Sequence, residues 1–358
     1  MPLPVWVPIR EDLRRFEPYG APQMGDMVRL NVNENPHGPG TGLLDDIAAD
    51  VRSVAAGLNR YPDREARDLR HDLAAYVGHG LSADHMWAAN GSNEIITQLF
   101  QAFAGPGRSA LSFTPTYSMY PEYARDTHTR WITAPRADDF TIDVARATEL
   151  ISAEQPDIVL LTSPNNPTGT ALPLETTRAI AESAPGIVIV DEAYAEFRRS
   201  GTPSALELLD EFRRVVVART MSKAFALAGA RIGYLAAHPA IVDAVRVVRL
   251  PYHLSDVSQA VARAALRHSH ELLAQIDSLR AERDDTVKWL RSRGLTVADS
   301  DANFVFFGRF DDRHAVWDGL VQRGVLIRET GPDGWLRVSI GTPEEMSLFR
   351  QALTEVLG

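Results

Sequence analysis

The 358-residue sequence contains no cysteine, so it can form neither a disulfide framework nor a thiolate metal site. That composition suits a reducing, cytoplasmic compartment. No apolar run approaches the roughly 20 residues that a membrane-spanning helix needs. The segment Met1 to Arg10 lacks the basic start and long apolar stretch of a signal peptide. Basic charge is also short: 37 Lys and Arg face 47 Asp and Glu, a formal net charge of -10. An acidic chain is a poor match for nucleic acid or an anionic membrane, both of which bind basic patches. The ten histidines include no His-Glu-x-x-His spacing, and His268 and His270 fall on a polar helical stretch, so no metal is expected. Gly38, Gly40 and Gly42 follow no strand and lack phosphate-loop spacing, which makes that segment a plain loop.

What remains is a globular composition, 45% hydrophobic and 23% charged, without repeats or low-complexity tracts. The length predicts one large domain and a smaller one. Residues 1–35 carry the turn-prone Pro18, Gly20 and Asn33 to Pro36, and read as an irregular arm packing on the small domain, a partner subunit or both. From 36 to 250, short apolar runs alternate with helical periodicity, the pattern of an α/β domain with a mostly parallel central sheet flanked by helices. The strand candidates are 86–89, 109–113, 158–161, 187–190, 215–218 and 232–236. An amphipathic stretch over 257–293 then precedes short strand candidates at 305–307, 325–327 and 336–339. This predicts a smaller α+β domain over 251–358.

The polar motifs follow the carboxyl ends of the strand candidates, where open α/β sheets bind ligands. Lys223 lies among Ala224, Phe225, Leu227 and Gly229, which would desolvate its amine and lower its pKa. Such an amine can attack an aldehyde. Asn90 to Glu94 opens a helix with Gly91, Ser92 and Asn93, a backbone and side-chain donor set for a phosphate, with Lys223 and Arg231 as possible co-ligands. Asp191 ends an apolar strand, and a buried carboxylate there needs a cation such as a protonated pyridine nitrogen. Asn166, in the turn Ser163 to Gly169, and Tyr194 can donate to a phenolate oxygen. Tyr117 can stack on a planar ring. Each signal alone has a structural explanation, as a helix cap, a strand-end pair or a core aromatic. Jointly they match pyridoxal 5'-phosphate.

At these residues the chain resembles the fold-type I pyridoxal-phosphate aminotransferases, and among them the histidinol-phosphate aminotransferase family of the actinobacterial kind. The resemblance runs through Pro18 to Gln23, Asn33 to Pro36, Arg60 to Asp63, Asn90 to Glu94, Ser163 to Gly169 and Asp191 to Tyr194. It continues through Thr220 to Gly229, Arg249 to Ser255 and Ser300 to Phe304. It implies that Lys223 is the Schiff-base lysine and moves the substrate proton, that Asp191 holds the ring nitrogen, and that Tyr194 acts beside them. Ser222, Arg231 and the Gly91, Ser92 and Asn93 turn would bind the cofactor phosphate, and Tyr61 would reach it from a partner subunit, which implies a homodimer with shared sites. Arg337 would grip the substrate anion, with Arg328 near it and Tyr19, Asn33 and Tyr252 in the same pocket. The implied reaction moves an amino group between glutamate or 2-oxoglutarate and histidinol phosphate or imidazole acetol phosphate, in histidine biosynthesis. One guanidinium fork would then serve a phosphate and a carboxylate in turn. A broad phenylalanine and tyrosine aminotransferase is the alternative, followed by a decarboxylase or a non-enzymatic cofactor-sensing module.

Overall fold

Apolar residues at alternate positions on three neighbouring strands decide the architecture. A computed structural model describes residue 4 and residues 6–358. In the arm, β1 (Val28–Arg29) is a short strand where irregular chain was expected. Seven further strands build the central sheet: β2 (Met86–Ala89), β3 (Ser109–Thr114), β4 (Arg130–Pro135), β5 (Ile158–Thr162), β6 (Ile187–Asp191), β7 (Val215–Thr220) and β8 (Gly233–Ala237). Their order is β2-β8-β7-β6-β5-β3-β4. Every residue of β5, β6 and β7 is buried. Val159, Leu161, Val188, Val190, Val215 and Val217 join one core, while Ile158, Leu160, Ile187, Ile189, Val216 and Ala218 join another. The period of two thus delivers one core to each face, as a sheet covered on both sides requires. Helices Ser92–Phe103 and Pro239–Val248 cover one face through Ile95, Leu99, Ile241 and Val245. Helices Arg67–Val77 and Leu174–Ser183 supply Leu69, Leu73 and Ile180 to the other core.

The sheet is parallel from β7 through β4, and β8 runs antiparallel to both β7 and β2. That reversal matters for the site. It brings the start of β8, Gly233, to the same end as the carboxyl termini of its neighbours, with Gly233 paired to Thr220 and Ala89. The edge strand β4 was not among the expected strands, because its residues are half-buried or exposed and its apolar pattern is diluted.

The C-terminal part contains β9 (Thr296–Val297), β10 (Phe304–Gly308), β11 (Val325–Leu326), β12 (Arg328–Glu329) and β13 (Trp335–Ser339). An antiparallel sheet runs β12-β13-β10-β9, while β11 pairs in parallel with β1 of the arm. The stretch expected as one amphipathic unit is three helices, Asp256–Arg267, Ser269–Ala274 and Ile276–Ser292. The first packs against Thr41–Ala55 and Arg67–Val77. Among the described residues, no helix is long and apolar enough to cross a membrane.

Candidate active site

Three parallel strands end side by side in polar residues, Thr162, Asp191 and Thr220, and all three line one cavity. Placing polar groups there satisfies the general rule for open α/β sheets. Lys223 follows β7 at once, and its Nζ donates to the Val32 carbonyl oxygen at 2.9 Å. Burial pulls the amine down to about 8, helped by the positive charges of Arg337 and Arg231 and opposed by Glu34.

Asp191 is 5% exposed. Its carboxylate accepts from the Tyr120 hydroxyl at 2.8 Å and from the Ala193 N–H at 3.0 Å. Burial raises it to about 6, against those two hydrogen bonds. Among the described residues no Lys, Arg or His pairs with it, whereas the adjacent Glu192 pairs with Arg219 at 2.7 Å and Arg198 at 3.4 Å. Of these two neighbouring buried carboxylates, Glu192 has its paired cations, whereas Asp191 faces the cavity and pairs with none of the cations that line it.

Along the wall, Gly91 starts the Ser92–Phe103 helix with φ 86°, and no side chain caps that end. Ser92 and Asn93 line the cavity, so the helix's free amides and positive dipole end face it. Close approach is built in. A Cβ on Gly233 would lie 2.2 Å from the Ser92 nitrogen and 2.3 Å from the Gly91 carbonyl carbon. Arg231, in the left-handed region with φ 56°, donates to Ser222 Oγ at 3.3 Å beside the same turn. A small anion fits this cup.

On the opposite wall, Asn166 Oδ1 accepts from an amino group of Arg337, and the second amino group of Arg337 donates to the Asn31 carbonyl oxygen at 2.8 Å. Arg337 is 6% exposed, its Nε has no partner, and no carboxylate pairs with it among the described residues. Burial pulls it down to about 10, with the Tyr194 phenol pushing the other way. The Tyr194 oxygen accepts from Asn33 Nδ2 at 2.9 Å, which leaves the hydroxyl proton free to donate. Tyr117 packs edge-on against Tyr120 at 5.5 Å. At the mouth, Tyr19 lies 2.8 Å from Ser118 Oγ, and Arg328 donates to the Gly20 carbonyl oxygen at 3.4 Å.

The structure thus gathers Tyr19, Asn33, Ser92, Asn93, Tyr117 and Asn166 around one cavity with Asp191, Tyr194, Ser222, Lys223, Arg231, Arg328 and Arg337. Gly91 backs it. It does not bring Tyr61 or Tyr252 there: they stack on each other at 4.4 Å, with Tyr61 79% exposed. Within one chain, Tyr252 therefore sits with Tyr61 outside this cavity. Sequence reasoning missed Tyr120 and the Val32 and Asn31 carbonyls. Nothing in the sequence marks them, since any residue carries a carbonyl and Tyr120 reads as a core aromatic.

These groups fit pyridoxal 5'-phosphate: a buried carboxylate without a cation for a pyridinium, an amide cup for a phosphate, and a partly neutral amine between them. The comparisons with known proteins agree. The profile of the family described as "Aminotransferase class I and II" matches residues 25–353. A histidinol-phosphate aminotransferase of Thermobifida fusca is 60% identical, over 98% of this chain and 96% of that protein. "Histidinol-phosphate aminotransferase 3" of Burkholderia lata is 59% identical over the same shares. The crystal structure of histidinol-phosphate aminotransferase from Sinorhizobium meliloti in complex with pyridoxal-5'-phosphate superposes with a TM-score of 0.84 at 28% identity, covering 92% of this chain and 90% of that one. The chain belongs to the class I and II aminotransferases.

Proposed function

We propose that this protein is a pyridoxal 5'-phosphate-dependent transaminase that moves an amino group between glutamate or 2-oxoglutarate and histidinol phosphate or imidazole acetol phosphate, in histidine biosynthesis. One observation carries the reading: the buried Arg337, without a carboxylate partner among the described residues, shares a cavity with an amine held near neutrality, Lys223. The cofactor, when bound, supplies an aldehyde that condenses with amines and a ring that withdraws electrons. Everything else is the work of side chains.

Asp191 would hold the protonated ring nitrogen, and a cation there offsets the burial that raises its carboxyl. Ser222, Arg231 and the Gly91, Ser92 and Asn93 turn would hold the phosphate. Asn166 Nδ2 and the Tyr194 hydroxyl would donate to the phenolate oxygen, and Tyr117 would stack on the ring. Lys223 Nζ would be the base that moves a proton at the substrate carbon. Arg337 would take the substrate anion, with Arg328, Tyr19 and Asn33 enclosing it.

The reading includes a homodimer in which the partner subunit's Tyr61 completes the phosphate site. Its support is a set of exposed apolar side chains, Val247 at 83%, Leu250 at 71% and Leu58 at 54%, each within five residues in sequence of the stacked Tyr61 or Tyr252. It also includes an arm over 1–35, a large domain over 36–250 and a small domain over 251–358, in a cytoplasmic protein. The separate seven-stranded and four-stranded sheets support that division.

The test supplies glutamate to the cofactor-loaded protein and follows cofactor absorbance, then compares turnover of histidinol phosphate and phenylalanine. A strong preference for histidinol phosphate is expected. Equal efficiency with phenylalanine would assign a broad aromatic aminotransferase instead.

A further inference from the structure

A second cleft, of about 620 Å³, shares Thr116, Tyr117 and Ser118 with the cavity that contains Lys223. The large sheet supplies one side of it through Trp131, with Arg136 just past the end of β4, and the C-terminal part supplies the other through Arg309 and Trp335. Its apolar walls are aromatic. Phe140 lies edge-on to Trp335 at 5.1 Å, and Trp335 stacks on Phe306 at 4.7 Å.

Two cations line these walls, the buried Arg136 and the exposed Arg309, and neither pairs with a carboxylate among the described residues. Arg136 is 7% exposed, and its Nε and one amino group donate to the Phe113 and Phe140 carbonyl oxygens at 3.2 and 3.1 Å. Among the described residues its other amino group has no hydrogen-bond partner and no carboxylate pairs with this guanidinium. Burial pulls Arg136 down to about 10, which leaves it charged at neutral pH. Arg309 also lines the cleft and its side chain makes no hydrogen bond or ion pair among the described residues. A charge buried without a counter-ion costs stability, so a cleft that keeps one is built to receive an anion. Asp138, exposed at the edge of the same cleft, opposes ligand anions in general and so favours a ligand with one negative charge over one with two.

We propose that this cleft is a second ligand site, for a planar aromatic monocarboxylate whose ring lies among Trp131, Phe140 and Trp335 and whose carboxylate meets Arg136 and Arg309. A fused bicyclic acid of the indole-3-acetate class suits the volume, which lies in the usual range for small-molecule sites. Because residues of both sheets line the cleft and Tyr117 is common to both cavities, the ligand slows turnover without occupying the substrate position. This site is independent of which substrate the transaminase prefers.

The test titrates indole-3-acetate into the cofactor-loaded protein by calorimetry, alone and with saturating 2-oxoglutarate or histidinol phosphate. Binding is expected to persist in both mixtures and to exceed that of neutral indole about tenfold or more. Arg309→Ala and Trp131→Ala should each weaken it about fivefold or more, with turnover in the absence of indole-3-acetate changed by less than about twofold. These variants are used because Arg136 also secures the Phe140 carbonyl, so its replacement could disturb folding. Displacement by either substrate, equal binding of indole, or unchanged affinity in both variants overturns the proposal.

Discussion

The Tyr120 hydroxyl donates to Asp191 Oδ2 across 2.8 Å and lies 2.9 Å from the Thr162 hydroxyl, joining the ends of two neighbouring strands. It supports the ionised form of a carboxylate that burial pushes the other way, up to about 6. Tyr120→Phe keeps the ring against Tyr117 and removes only the donor. A hydrogen bond to a charged group contributes roughly 1.5–3 kcal/mol, so cofactor affinity and the glutamate half-reaction should each fall about tenfold or more. Equilibrium dialysis and single-turnover absorbance measure the two, and unchanged cofactor affinity would count against this role.

Lys223 gives the pH dependence. As the proposed Schiff-base lysine its amine would attack only when neutral, and its pKa is lowered from 10.5 to about 8, so cofactor capture by cofactor-free protein should rise with pH and level off above about 8. Arg337 contributes to that lowering, so Arg337→Met should move the midpoint upward, toward the ordinary lysine value. Lys223→Ala should still hold the cofactor non-covalently and lose turnover by about a thousandfold. Stopped-flow absorbance across pH checks all three, and a midpoint unmoved in the Arg337 variant would remove Arg337 as a cause.

Legibility followed burial and locality. The strands carrying Thr162, Asp191 and Thr220 announce themselves because every residue in them is buried, so each reads as a short apolar run ending in a polar side chain. The edge strand Arg130–Pro135 does not, since half-exposed positions tolerate polar residues. The reversed direction of β8 depends on tertiary pairing and leaves no mark in its own residues. Among site groups, side chains near strand ends were legible and backbone acceptors were not. Val32, which holds the Lys223 amine, is 191 residues away and acts through a carbonyl. Tyr61 and Tyr252 show the converse: a sequence resemblance places both at the pocket, while within one chain they stack beside it.

Gly233 makes a steric test of the anion cup. Alanine there would put a Cβ 2.2 Å from the Ser92 nitrogen and 2.3 Å from the Gly91 carbonyl carbon, and that peptide group cannot yield as a side-chain tip would. The Gly91 and Ser92 amides must move, so cofactor affinity should fall about tenfold or more while the buried strands keep the fold. Far-ultraviolet circular dichroism with cofactor titration separates the two effects. Native affinity in Gly233→Ala would mean that this turn does not bind the phosphate.

Arg337 bears on the reaction itself. Glutamate brings a carboxylate and histidinol phosphate a phosphate, yet Arg337 offers the cavity a single guanidinium fork, fixed by Asn166 and the Asn31 carbonyl. Truncating a buried charged partner costs roughly 2–5 kcal/mol, so Arg337→Ala should lower kcat/KM about a hundredfold for both substrates. Arg337→Lys restores charge without the planar fork and should recover only part of that loss for either. Separate half-reaction kinetics decide the matter. A loss confined to histidinol phosphate would show that glutamate uses another cation, and Arg328, half-buried in the wall of the same cavity, is the one in position to serve.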